Sequence, residues 1–419
     1  MPASALRRPG VVLLDAPRPD ADTGRRGAML FSDPRRALVA RAPGEVGPLL
    51  DALDRALAGG HWVAGALAYE AGYALHPSLG AAPPPDPDEV AVPLGWFGVY
   101  GPPEAVDADA LDGALAGALA GAGGAAVRDA AFAWSAGAYA ERVAALRERI
   151  REGDVYQGNL TAPFRFRLDG DPLALFAALR AVQPVSYGAF LRFPDDAGGP
   201  QTGGAAVASV SPELFFRIDP PRPGAGGPRT ITARPMKGTA PRGATPPADR
   251  ALAEALAADP KNRAENLMIV DLLRNDVSRV SEPGSVRVPA LFEAERYETV
   301  TQLTSTVRAA LRAGVSLGDV LRALFPCGSV TGAPKLRAME VLRDLEDGPR
   351  GVYCGAIGYA APAPGGGLGT AAFSVPIRTA VVDAGGAGRY DVGSGVVWDS
   401  RADAEYAECL LKARVLTDL

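Results

Sequence analysis

The chain is a long succession of short apolar runs cut by glycine and proline, with 50 Gly and 38 Pro among 419 residues. That share lies below the ~25–30% typical of disordered polymers and suits a fold of many hairpins and tight loops. From Trp134 onward, strand-like stretches at 164–168, 187–193, 214–218, 355–359, 373–377 and 392–397 alternate with Gly/Pro loops. The loops at 196–205, 219–228, 361–369 and 384–388 read as hairpin tips. Helical spacing appears at Val46, Leu49, Leu50, Leu53 and Leu57, and again at Tyr139, Val143, Leu146 and Ile150, where Gly153 stops it. Strands are expected at 11–14, 61–69 and 94–100. Residues 101–130 are rich in Ala, Gly and Asp and read as a linker or a loosely specified segment. They separate an N-terminal region, 1–130, from a denser region, 131–419. Length alone, at ~150 residues per domain, allows two to three domains, and no repeat of fixed period is visible.

Composition excludes several classes of function. Lys plus Arg number 43 against 48 Asp plus Glu, a formal charge of −5, so no basic excess points to nucleic acid or an anionic membrane. No apolar run reaches the ~18 residues of a membrane span, and residues 1–9 lack the apolar stretch of a signal peptide. The histidines, His61 and His76, lie far upstream. The cysteines, Cys327, Cys354 and Cys409, form no CxxC, which argues against a zinc site. An odd cysteine count without a leader suggests a reducing compartment, hence a cytoplasmic location.

Several segments carry chemistry. In 261–276, Glu265 shares a helix face with Met268, Ile269 and Leu272. A carboxylate on an apolar face must be neutralised, paired or bound to a metal, and a Glu–Arg pair with Arg263 or Arg274 is the plain alternative. In 403–416, Glu405, Glu408, Lys412 and Val415 fall on one stripe, with Glu408 and Lys412 as an i,i+4 pair. This is either a solvated salt-bridge face or a second carboxylate donor for Mg²⁺, which takes one or two carboxylates, water and an anionic substrate. Residues 325–346 open with a Gly-rich turn. Ser329 or Thr331 can cap a helix there, with Pro334 in its first turn, and free N–H groups would form an anion site. Lys237, in the turn RPMKGT, is an exposed loop charge or a positioned amine. Arg378 and the backbone of Gly393, Ser394 and Gly395 can each bind a carboxylate. Together these features suggest a Mg²⁺-dependent enzyme acting on a small polycarboxylate.

Collinear motifs sharpen this: GDVYQGNLT (153–161), SPELFF (211–216), RPMKGT (234–239), RAENLMIVDLLRND (263–276), LTSTV (303–307), GSVTGAPKLRAMEVL (328–342), GVYCGAIGY (351–359), PIRTA (376–380) and GSGVVWDSRADAEYAE (393–408). Through them the chain resembles the chorismate-utilising family, which includes anthranilate, aminodeoxychorismate, isochorismate and salicylate synthases. AYEAGY (68–73) is the main match in the first 130 residues. The resemblance implies a single α+β unit, with two large, mostly antiparallel sheets packed face to face and helices outside. It implies Glu265 and Glu408 as direct Mg²⁺ ligands and Glu405 as a water-bridged one. Asn262 stands where the family has a further carboxylate. Arg378, Tyr359, Lys412, Thr331 and the backbone at 393–395 would hold the substrate carboxylates. Glu213 would be the general acid for the departing C4 hydroxyl.

Positions that differ within the family favour its aminodeoxychorismate synthase component I branch. Lys237 matches the lysine that attacks C2 of chorismate in that branch, where anthranilate synthases carry Ala. Gln157 stands where the isochorismate and salicylate synthases place a water-activating lysine, so the final nucleophile is expected to be ammonia. Gln302 precedes Leu303 where anthranilate synthases have a histidine linked to pyruvate elimination. The expected product is 4-amino-4-deoxychorismate, on the way to 4-aminobenzoate and folate or a secondary metabolite. No cysteine lies in a GxCxGxQ elbow, so a separate glutamine amidotransferase subunit is expected to supply ammonia, and an aminodeoxychorismate lyase to follow. The alternatives are an anthranilate or 2-amino-2-deoxyisochorismate synthase, and a non-catalytic chorismate-binding regulatory subunit. The chain lacks the Leu-Glu-Ser signature of feedback-regulated anthranilate synthases, and no tryptophan feedback is expected.

Overall fold

A computed structural model describes residues 3–18, 26–82, 92–121, 124–194, 204–221, 227–297 and 300–419. The hairpin tips expected at 196–205 and 219–228 fall largely outside these residues. Among the described residues the strands form two ten-stranded sheets, and every pairing is antiparallel.

In one sheet the neighbours run Gly332–Ala333, Gln157–Gly170, Ala387–Val396, Thr379–Val382, Ala206–Ser211, Tyr187–Arg192, Val12–Ala16, Gly27–Phe31 and Glu104–Val106. Ala125–Phe132 also pairs with Gln157–Gly170. The second sheet runs Met236–Pro241, Val300–Ala310, Thr230–Arg234, Leu214–Asp219, Leu368–Ser374, Ala356–Pro362, Trp62–Leu67, Gly95–Tyr100 and Arg36–Ala40, and Arg287–Arg296 pairs with Val300–Ala310. Strands from the first 130 residues therefore enter both sheets.

The alternation of side chains along each strand divides the apolar residues into three cores. Val12, Phe31, Trp96, Leu191, Val207, Ile357 and Val381 fill the space between the sheets. Leu50, Leu53, Phe97, Phe216, Ile269 and Phe373 join the second sheet to its helices. Leu111, Leu146, Phe164, Phe176, Tyr390 and Leu416 do the same for the first. The expected two-sheet architecture with outer helices is thus present.

Two segments differ from expectation. The described residues between 101 and 130 are not a linker but form elements of the fold: Glu104–Val106, a helix Ala108–Ala120 and Ala125–Phe132. Asp107 caps the helix by accepting from the amides of Asp109 and Ala110, and Leu111, Ala114, Leu115 and Ala118 bury one stripe. The helix expected after the Gly-rich turn, capped by Ser329 or Thr331 with Pro334 in its first turn, starts later, at Lys335–Leu345, with Pro334 at its N-cap and no side-chain cap. The Thr331 hydroxyl is instead spent on the carbonyls of Cys327 and Gly328, and Gly332–Ala333 joins the sheet beside Gln157 and Gly158.

Candidate active site

One cleft collects most of the expected residues. It encloses about 270 Å³ and is lined by Glu213, Lys237, Glu265, Gln302, Arg378, Gly393, Gly395, Glu405, Glu408 and Lys412.

Irregular backbone aims the reactive groups. Glu213 precedes Leu214–Asp219, whose register shifts immediately beyond it on both neighbours. Such bulges redirect side chains beside active sites. Glu213 is buried and accepts from the Ser329 side chain and the Met236 backbone, while its Oε1 has no partner among the described residues. Burial pushes its pKa up to about 7, against the pull of those bonds and of Lys237. A carboxyl that keeps its proton near neutrality can act as an acid.

Lys237 sits in a second bulge, between Met236 and Thr239. Gly238, at φ +95, makes that turn, and a Cβ there would lie 2.9 Å from Asn262 Oδ1. The bulge directs the lysine over Gly395: a Cβ on Gly395 would fall 2.9 Å from Lys237 Nζ and 2.6 Å from Gln157 Nε2. Burial lowers the pKa of Lys237, and Glu265 is the foremost charge opposing that shift. Gln157 is itself buried, with its Oε1 unpartnered among the described residues.

Glu265 comes from the helix Pro260–Ser278, capped by Asp259 through the Asn262 amide. Glu408, Glu405 and Lys412 come from Ala402–Thr417. The expected Glu265–Arg alternative is not formed: Arg274 binds Asp271, and the cation beside Glu265 is Lys261 at 3.9 Å. Burial raises the Glu265 pKa, against Lys237 and Lys261. Burial opposes ionisation of Glu408 too, but the Lys412 ammonium at 2.5 Å holds its pKa below the usual range. Glu405 accepts from Ser400 Oγ at 2.7 Å. Among the described residues no three acidic, His or Cys side chains stand close enough to enclose a metal by themselves. A half-compensated Glu265 facing Glu408 across one cleft therefore fits a hard cation that completes its shell with water and substrate oxygens.

Arg378 adopts φ +54, a strained conformation for a side chain with a Cβ, and its guanidinium donates to Gln183 Oε1 at 3.2 Å. On the strand Ala387–Val396, Asp391, Gly393 and Gly395 face the cleft. Asp391 is held by Arg389 through bonds of 2.8 and 2.6 Å. Gln302 lines the cleft and accepts from Thr239 Oγ1 at 3.0 Å.

Four expected substrate contacts need correction; the first, Gln157, is buried and is not among the residues that line the cleft. Tyr359 faces the space between the sheets, stacked on Trp62 with ring centroids 5.9 Å apart, and lines a different cavity. Tyr353, six residues earlier and flanked by Gly351 and Gly355, lines the cleft instead. Ser394 points to the other side of its strand, where its hydroxyl meets Tyr139 at 2.7 Å, so that only its backbone can serve the site. Thr331 is buried behind Ser329 and Val330, which do line the cleft. Asn159, Ser329, Asp391 and Lys261 were not expected as lining residues. Asp391 was accessible from the period of two shared with Gly393 and Gly395.

Residues 45–418 match the family of chorismate binding enzymes. The chain belongs to that family. It is 48% identical to an aminodeoxychorismate synthase of Streptomyces pristinaespiralis over 276 residues, 66% of this chain and 35% of that protein. It is 42% identical to the aminodeoxychorismate synthase component 1 of Klebsiella aerogenes over 282 residues, 67% of this chain and 57% of that one. An anthranilate synthase component 1 of Methanothermobacter marburgensis is 40% identical over 278 residues, 66% of this chain and 55% of its own length. These matches span between about a third and somewhat over half of the relatives' lengths. Among solved structures, anthranilate synthase component I of Streptococcus pneumoniae superposes with a TM-score of 0.74 at 26% identity, covering 94% of this chain and 93% of that one.

Proposed function

We propose that this chorismate-binding enzyme is an aminodeoxychorismate synthase component I, which replaces the C4 hydroxyl of chorismate with an amino group while keeping the pyruvyl side chain. The observation that carries this reading is Lys237: the amine of a half-buried lysine lies over the bare backbone of Gly395, within a cleft that also holds a protonatable Glu213.

In the proposed reaction the Lys237 amine forms a bond to C2 of the ring. Both ring double bonds shift, C1=C2 and C5=C6 becoming C1=C6 and C4=C5, and the C4–O bond breaks as Glu213 delivers its proton to the departing hydroxyl, releasing water. Ammonia then forms a bond to C4, both double bonds shift back, and the C2–N bond to Lys237 breaks. The two allylic displacements restore the original ring pattern, and the proton lost by ammonia balances the one taken up by the leaving amine. Lowering of the Lys237 pKa favours the neutral, nucleophilic amine. Arg378, Lys412, Tyr353 and the backbone at Gly393 and Gly395 hold the carboxylates of the substrate. Glu265 and Glu408, with Glu405 behind them, hold Mg²⁺. When bound, that ion supplies positive charge to a substrate carboxylate. The Gln157 amide nitrogen approaches the same point over Gly395 as the Lys237 amine, so an uncharged amide, not a second lysine, is the neighbour of the proposed nucleophile.

The ammonia is proposed to come from a separate glutamine amidotransferase subunit. All three cysteines of this chain are buried, and burial raises the thiol pKa of Cys327 to about 12 and of Cys409 to about 11. Neither is a ready nucleophile. A separate lyase would then release 4-aminobenzoate. The competing product, anthranilate, is made by relatives of similar identity. Lys237 and Gln302 favour the 4-amino product over it. Lys237→Ala tests the covalent route: it is expected to abolish 4-amino product while leaving chorismate binding intact. Undiminished 4-amino product from that variant would overturn the mechanism.

A further inference from the structure

The Lys412 ammonium has two partners in the cleft, Glu408 Oε1 at 2.5 Å and the Gly393 carbonyl at 2.7 Å. The first is a proposed cation ligand and the second belongs to the backbone proposed to hold a substrate carboxylate. We infer that Lys412 exchanges partners. Without a cation it neutralises Glu408; when a divalent cation takes Glu408, the ammonium is released toward the substrate carboxylate beside Gly393. This rests on the reading that Glu265 and Glu408 hold Mg²⁺.

The geometry supplies the reasons. An oxygen engaged by an ammonium at 2.5 Å cannot face a dication without bringing two like charges close together. Lysine is a point charge on a flexible stem, so its ammonium can turn while keeping the bond to the carbonyl of Gly393. The two proposed ligands are also unequal. Lys261 stands 3.9 Å from Glu265 and its side chain is 55% exposed, a loose pair that solvent screens. The Lys412 side chain is only 27% exposed and in direct contact. Glu405 has a neutral hydroxyl partner, Ser400, which does not compete with a cation. Of the two cations within 4 Å of these ligands, Lys412 is therefore the one whose charge the incoming ion must displace. Because the displaced ammonium is then free for a carboxylate, the two ligands favour each other, and that coupling is reciprocal.

The test is Mn²⁺ binding to the substrate-free full chain, with the free ion measured by electron paramagnetic resonance. Mn²⁺ serves as a hard divalent probe. Wild type is compared with Lys412→Met, which keeps the stem and removes the charge, and with Lys412→Arg, which keeps the charge. Lys412→Gln serves as a second neutral variant should Lys412→Met not give the circular dichroism of the folded wild type. The neutral variant is expected to bind Mn²⁺ at least about fivefold more tightly than wild type, the lower end of ordinary coupling strengths, and the arginine variant to stay within about twofold. A folded neutral variant that binds Mn²⁺ no more tightly than wild type overturns the exchange and leaves the cation site standing. Absence of Mn²⁺ binding in all the proteins, with or without chorismate, overturns the cation site and the exchange together.

Discussion

The amine of Lys237 lies 2.9 Å from the point where Gly395 would carry a Cβ. A glycine on the sheet thus gives a lysine from the opposite sheet room to lie across its backbone. The first substitution to make is Gly395→Ala. Its methyl group would meet only the ends of two flexible side chains, Lys237 and Gln157, so the fold should survive. The amine would have to move by the better part of an ångström, and displacements of that size cost on the order of 100-fold in rate. The expected result is an unchanged melting curve with kcat down by roughly that factor. Wild-type turnover in Gly395→Ala would show that the amine does not act from this position.

Glu213 makes the pH dependence specific. Its pKa of about 7 in the folded chain lies above the ordinary carboxylate value of 4.5. As the acid, it must be protonated in the free enzyme, so kcat/KM should fall on the alkaline side of about pH 7. The same shift acts on stability. The folded chain holds this proton between pH 4.5 and about 7 while the unfolded chain releases it, so stability declines as pH rises through that window. The decline is on the order of 3 kcal/mol. Glu213→Gln should remove that slope from urea-unfolding curves taken at several pH values, and should also remove the activity. A variant with the wild-type slope would place the proton elsewhere.

The two tyrosines of the GVYCGAIGY motif should separate cleanly. Tyr353 lines the cleft, whereas Tyr359 is stacked on Trp62 between the sheets. Tyr353→Phe should raise KM for chorismate by about tenfold, the worth of one hydrogen bond of roughly 1–1.5 kcal/mol. Tyr359→Phe should leave KM within about twofold of wild type, because no hydroxyl contact with substrate is lost. The reverse pattern in steady-state kinetics would mean that the substrate occupies the other cavity.

Arg350 should matter for the frame. It is buried, donates twice to Glu346, and reaches the carbonyls of Val330 and Asn159 at 2.7 and 2.8 Å. Val330 and Asn159 both line the cleft. Arg350→Met leaves the Glu346 carboxylate buried beside an apolar stem, which should cost about 3–5 kcal/mol in urea unfolding. A loss below about 1 kcal/mol would show that Glu346 finds other partners.

Much of this architecture was legible because helices and half-buried strands repeat with different periods. The spacing of Leu49, Leu50, Leu53 and Leu57 announced the helix Pro43–Ala58, and that of Tyr139, Val143 and Leu146 the helix Ala136–Arg151. Helical spacing placed Glu265 and Glu408 on their faces but left an ion pair and a cation site equally open, and only the resemblance to the family singled them out. Other parts carried a weak or misleading signal. Ala108–Ala120 is so rich in Ala and Gly that its Leu111–Leu115 stripe was lost against the background. Ala206–Ser211 is buried at every position, so alternation could not reveal it. The turn at 325–334 has the residues of a helix cap, but tertiary pairing with Gln157 and Gly158 draws it into the sheet. Tyr359 and Tyr353 share a motif, and only the position of the strand start at Ala356 decides which of them reaches the cleft.

The central claim is that this chain forms 4-amino-4-deoxychorismate, and the direct measurement is product identity. Purified protein would be given chorismate, MgCl₂ and excess ammonium at alkaline pH, with and without an added aminodeoxychorismate lyase, and the products resolved by chromatography and mass spectrometry. The account predicts 4-aminobenzoate only when the lyase is present, and its amino-chorismate precursor when it is not. Anthranilate formed without lyase would contradict it.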